Sequence, residues 1–166
     1  MSIPARLAEI RELRADGKSG QYVTEACRLA DTARAHAGAQ LEAAYACDEV
    51  GDDQRAVDYF DSAWQLGVPD EEHARAVTTY GALLKNLGRI DEAVAILGEA
   101  LLRHPSYPPV KAMLALALHA GKFHNAAMAT AVELVLEVTR PEQLDGFGAA
   151  LAQYQTELTA ASLQRA

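Results

Sequence analysis

The chain has 166 residues, half of them apolar and 6% aromatic, with two cysteines and a formal charge of −8. That composition suits one globular domain and excludes a disordered tail, a disulfide framework and a general nucleic-acid or anionic-membrane binder. The most apolar stretch, 126–138, is interrupted by Glu133 and Glu137 and is too short to span a bilayer. The opening MSIPARLAEIRELRAD is charged within a few residues and lacks the apolar run of a signal peptide. Together with the scarcity of cysteine, this predicts a cytoplasmic location, and the excess of Arg over Lys, 11 to 4, hints at a bacterial source.

Taken in order, the chain reads as helix after helix. Turn signals fall at Gly17–Gly20, Gly38, Gly51, Gly67–Pro69, Gly88, His104–Pro109, Gly121 and Pro141. Between them, apolar residues recur with helical period. Val57, Phe60, Ala63 and Trp64 form one stripe, Tyr80, Leu83, Leu84 and Leu87 the next, and Ile90, Ala93, Val94, Leu97, Ala100 and Leu101 a third. Strand alternation is missing. About nine helices of roughly 12–16 residues are expected, joined by short turns. Asp70 after Pro69 is placed to cap a helix, and Pro109 and Pro141 suit first-turn positions.

The turns recur. Gly51, Gly88 and Gly121 are 37 and 33 residues apart, and each is followed five residues later by Ala56, Ala93 and Ala126. Gly81 and Gly148, each after an aromatic residue, are 67 apart, close to twice 34. With Tyr80, Gly81, Leu84, Gly88, Ala93, Leu97, Ala100 and Pro105 in phase, the chain resembles the tetratricopeptide repeat family. The resemblance implies an all-α fold: a right-handed α-α superhelix, or solenoid, of about three to four helix-turn-helix units with a C-terminal capping helix. Residues 1–166 are then one domain: a degenerate leading unit at 5–34, repeats at 38–69, 70–105 and 107–138, and a closing helix at 141–160.

Candidate chemistry is sparse. There is no phosphate loop and no dinucleotide fingerprint. His119 and His124 flank the Gly121 turn, but two imidazoles make an incomplete metal site. His36, His73 and His104 lie near other helix ends. Cys27 and Cys47 are read as small buried hydrophobes, Cys47 at a core-facing position. Asp48, Glu49, Asp52 and Asp53 span a turn, where acids are common. No catalytic residue, metal or cofactor is assigned, and a non-enzymatic binding module is expected.

The resemblance implies that the first helix of each repeat lines a concave groove. Carried onto this sequence, the groove positions are Leu41, Tyr45, Asp48 and Glu49, then Arg75, Thr78, Lys85 and Asn86, then Lys111 and His119. The family's chaperone-tail clamp is not matched at Leu41, Tyr45, Thr79, Pro108 or Ala112. Residues 35–72 carry a net −9, residues 1–34 a net +1 and the remainder zero. The expected partner is therefore a protein or peptide with basic residues where it meets the first clear repeat. Self-assembly into a homo-oligomer is the alternative, and neither nucleic acid nor membrane is an expected partner.

Overall fold

The computed structural model describes residues 2–164. Among the described residues there are nine α-helices and no strand. They are α1 (Ile3–Ala15), α2 (Ser19–Thr32), α3 (Ala37–Glu49), α4 (Asp53–Leu66), α5 (Asp70–Asn86), α6 (Ile90–Arg103), α7 (Pro108–Ala120), α8 (His124–Val138) and α9 (Gly148–Leu163), with one 3-10 turn at Pro141–Leu144 before the last. Ser2 caps α1 through its hydroxyl, which accepts from the Ala5 amide, and Asp52 caps α4 by accepting from Arg55. Pro108 and Pro109 occupy the first turn of α7, where no amide donor is needed.

One turn closes α1, α3, α5 and α7 alike. Gly17, Gly51, Gly88 and Lys122 all have positive φ, at 71°, 75°, 78° and 65°. At each, the positive-φ amide bonds back three residues and the next amide bonds back five. The pairs are Gly17–Arg14 with Lys18–Leu13, Gly51–Asp48 with Asp52–Cys47, Gly88–Lys85 with Arg89–Leu84, and Lys122–His119 with Phe123–Leu118. This is the Schellman closure, which satisfies carbonyls left open at a helix end. Its positions are 34, 37 and 34 residues apart.

That register corrects the sequence reading of the third repeat. Gly121 has φ −75° and only ends α7, while Lys122 takes the left-handed position. Five residues beyond each closure stand Tyr22, Ala56, Ala93 and Ala127, all buried. Ala126 is only half-buried. Two other boundaries also move. The turn expected at Gly38 lies earlier, because His36 Nδ1 accepts from the Ala39 amide and starts α3 at Ala37. The closing segment does not run as one helix from 141, because positive φ at Asp145 (47°) and Gly146 (84°) breaks it before Gly148.

The described chain separates into two compact units, one up to Ala76 and the other from Val77 on. In the first, Ile10 of α1, Tyr22 and Ala26 of α2 and Ala46 of α3 form a core, with Leu13, Val23 and Leu29 packed on it. In α4, Ala56, Val57, Phe60 and Ala63 are wholly buried. In the second, Leu83, Leu84, Ala93, Leu97, Ala100, Val110 and Ala117 are buried. Helices α5 and α6 approach closely at Gly81. A Cβ added to it would lie 2.5 Å from Leu97 Cγ, and Leu97 has no exposed surface into which to retreat.

Gly81→Ala is therefore expected to destabilise the protein by about 1–3 kcal/mol through overpacking. Gly98→Ala, inside α6 with nothing within 4 Å of the added carbon, should instead stabilise it by about 0.5–1 kcal/mol by restricting the unfolded chain. Denaturant titrations of the two variants check both signs.

Candidate functional site

The face where α1, α3 and the first turns of α5 come together carries a cavity of about 290 Å³. Its lining is Arg11 and Arg14 from α1, Glu42 and Tyr45 from α3, and Glu72 and Arg75 from α5. Side chains three or four residues apart on one helix share a face, which is why each helix contributes a pair. Glu42 is the fixed point. It is 3% exposed, yet its carboxylate accepts from Arg11 Nε at 2.6 Å and from the Tyr22 hydroxyl at 2.9 Å. Burial, then the negative charge of Glu42, pushes the Tyr22 phenol well above its ordinary value. The Arg11 guanidinium is likewise raised, chiefly by its bond to Glu42, and reaches Glu72 at 3.8 Å.

Tyr45 and Arg75 form the aromatic side of the cavity. Tyr45 is 5% exposed and meets Phe60 edge-on, with ring centroids 5.6 Å apart. The guanidinium carbon of Arg75 lies 4.5 Å from the Tyr45 ring centroid. A planar cation over an aromatic face is held both electrostatically and by stacking.

The remaining positions named from the sequence fall in several environments. Leu41 is buried in the core. Asp48 is exposed on α3, its carboxyl raised by partial burial and then by Asp53. Glu49 is held by Arg14 Nε at 2.7 Å, so part of the acidic segment's charge is neutralised by α1. In the second unit Thr78 is buried. Lys85 donates to Asn86 at 2.8 Å. Lys111 is 5% exposed and pairs with Glu137 and, at 3.3 Å, with Glu133 of α8. Burial works against the Lys111 charge, but the bond to Glu137 and the nearby Glu133 outweigh it and raise the ammonium's value. His119 is exposed, with its Nδ1 3.3 Å from that of His124.

Of the positions named from the sequence, Tyr45 and Arg75 line this cavity; Arg11, Arg14, Glu42 and Glu72 line it too and were not named. Their signal was present in the +1 balance of residues 1–34 beside the −9 of residues 35–72, a pairing of opposite charges that composition alone does not assign to atoms. A second cavity, of about 450 Å³, is more apolar. It is lined in part by Val94, Leu118, Phe123 and Ala126 and sits beside His124. Trp64 is half-buried against His73, their rings 5.3 Å apart. Among the described residues no three His, Cys, Asp or Glu side chains gather as a metal site, and no helix is long and apolar enough to cross a membrane.

A helix-turn-helix pattern repeated at spacings of 34, 37 and 34 residues, with a small residue at a fixed register in the last three units, defines a class of helical repeat protein. The family model for the tetratrico peptide repeat matches residues 37–160, and the chain belongs to that family. No curated protein matches the sequence significantly. Among solved structures, MamA superposes with a TM-score of 0.69 at 14% identity, covering 89% of this chain and 76% of that one. YrrB, described as a tetratricopeptide protein with an unusual peptide-binding site, gives 0.64 at 12% identity over 99% of this chain and 91% of its own. An O-GlcNAc transferase mutant from Thermobaculum terrenum gives 0.68 at 21% identity; 84% of this chain is covered but only 26% of that one. These likenesses establish the fold, an all-helical one of the kind found in tetratricopeptide solenoids.

The buried ion pairs lead to an asymmetric expectation. Lys111→Met should change stability by no more than about 1 kcal/mol, because Glu133 and Glu137 are 47% and 45% exposed and stay hydrated. The double change Glu133→Gln with Glu137→Gln strands a buried ammonium and should cost about 3 kcal/mol. Tyr22→Phe removes a donor from buried Glu42 and should cost about 1.5 kcal/mol or more. Equilibrium unfolding at neutral pH measures all three.

Proposed function

We propose that this chain is a binding module, without chemistry of its own, that takes a peptide or a segment of a partner protein against the α1–α3–α5 face. The observation that carries the reading is the convergence, in one cavity, of paired side chains from three helices that open successive units. The guanidinium of Arg75, 4.5 Å from the Tyr45 ring centroid, places a permanent positive charge beside an aromatic ring on this face, a combination that suits a segment with an acidic group. The exposed Asp48, one turn along α3 from Tyr45, suits a basic residue, so the preferred segment carries both signs. Leu41 and Glu49 support this surface from α3. In the second unit, taken by itself, Lys85, Asn86 and His119 are further candidate contacts, whereas Thr78 and Lys111 are buried. The peptide-binding site described for YrrB is a precedent for such a use of this fold.

A second reading is favoured by the surface of the other unit. Val135, Val138, Phe147, Tyr154 and Leu163 are all large, apolar and between 45% and 75% exposed. Exposed apolar side chains of this size suit self-association where they adjoin.

Two measurements separate the readings. A photo-reactive amino acid at Arg75 or Asp48 should capture the same partner from the native host, whereas one at Asp58 on α4 should not. With that partner in hand, Arg75→Glu or Asp48→Lys should weaken binding about tenfold, more at low salt than at high, and Asp58→Lys should leave it unchanged. Equal capture from all three positions would contradict the proposed face. Light scattering after size exclusion reports self-association: a dimer that Phe147→Ser with Tyr154→Ser converts to monomer supports the second reading.

A further inference from the structure

The two cysteines, 20 positions apart and on different helices, come together in the structure. Cys27 of α2 and Cys47 of α3 have their sulfurs 3.7 Å apart. A disulfide needs a separation of about 2.0 Å, so the sulfurs have to approach by less than about 2 Å, a movement within the reach of side-chain torsions. The pair is asymmetric. Cys47 has no exposed surface, and Cys27 is 7% exposed. Over Cys27 lies Arg55 of α4, whose Nη2 is 3.4 Å from the sulfur and whose side chain is half in solvent. A permanent cation therefore stands between the outer sulfur and water.

We propose that Cys27 and Cys47 are a peroxide-responsive dithiol, with Cys27 as the attacking sulfur, Cys47 as the resolving sulfur and Arg55 as the positioning cation. The ligand class is a hydroperoxide. In the first step the Cys27 sulfur, having released its proton to solvent, attacks one peroxide oxygen. An S–O bond forms, the O–O bond breaks, and the departing hydroxide leaves as water on taking a proton. In the second step the Cys47 sulfur attacks Cys27. The S–S bond forms, the S–O bond breaks, and the hydroxide that leaves takes up the Cys47 proton as a second water. Two thiols lose two electrons together, and one peroxide gains them.

The surroundings suit that order. Arg55 faces Cys27, so charge developing on the attacking sulfur meets a guanidinium. Burial, and then the adjacent Cys27, pushes the Cys47 thiol up to about 12, which keeps the inner sulfur protonated until the outer one is oxidised. Ordinary buried cysteines are inert because they lack both the cation and the neighbour. Here the two are present together. The bond would tie α2 to α3 two residues along the helix from Tyr45, beside the proposed binding face but without using any of its residues.

The test uses the reduced full-length chain and hydrogen peroxide, followed by alkylation and intact-mass analysis. The expected product is a monomer about 2 Da lighter that resists alkylation until reduced, with a Tm raised by about 5 °C or more. In Cys47→Ser, dimedone should trap a sulfenic acid at Cys27, whereas Cys27→Ser should give no adduct at Cys47. Arg55→Gln, at a half-exposed position that leaves the core intact, should slow the reaction about tenfold. The proposal is overturned by two thiols that remain alkylatable after peroxide, by intermolecular dimers as the main product, or by over-oxidation of Cys27 with no disulfide. A dimedone adduct at Cys47 in Cys27→Ser, or an unchanged rate in Arg55→Gln, overturns the assigned roles.

Discussion

The fold depends on one closure repeated at the end of every first helix. Because the residue after the helix takes a left-handed conformation and the next amide reaches back five residues, the chain leaves each turn in the same direction. The following helix then starts in a fixed rotational setting. Tyr22, Ala56, Ala93 and Ala127 face inward for that reason. A turn longer or shorter by one residue would rotate the second helix by about 100° and carry its buried stripe toward solvent. The three extra residues between the second and third closures are accommodated instead near Gly67, whose φ of 90° bends the connection between α4 and α5.

With the helices so set, charge is arranged mainly within the molecule. Glu42 is satisfied by Arg11 and Tyr22, Glu49 by Arg14, and Lys111 by Glu133 and Glu137. The exposed pairs contribute little to stability, whereas a change that leaves a buried charge without its partner exacts a penalty. The consequence for recognition is that formal segment charge overstates the field a partner meets. The α1–α3–α5 face presents a mixed set of arginines and glutamates around an aromatic ring.

Which features the sequence revealed follows from how each residue enforces its structure. Gly51 and Gly88 were legible because glycine readily adopts positive φ, and Ala93 because a close helix contact tolerates only a small side chain. Lys122 was not legible: lysine carries no mark of a left-handed conformation, and the adjacent Gly121 drew the register one residue early. Tyr22 was missed for the opposite reason, since its large ring stands where Ala is usual and is retained by a hydrogen bond to a carboxylate 20 residues away. Tyr45 and Arg75, named from their places in the repeat, line one cavity. Arg11 with Glu42, 31 positions apart, could be joined only once successive helices lay side by side.

Tyr22 and Ala26 invert the sizes found at the matching places in the next two units, where Ala56 precedes Phe60 and Ala93 precedes Leu97. All six side chains are buried, so each unit fills its interior with one large and one small residue, but the first does so in the reverse order. The first unit is therefore not interchangeable with the others. Duplicating it, or moving it to another place in the chain, would set one bulky side chain against another and leave a void one turn away. Lengthening of this protein by unit duplication would have to draw on the internal units, and the first is bound to its own neighbour.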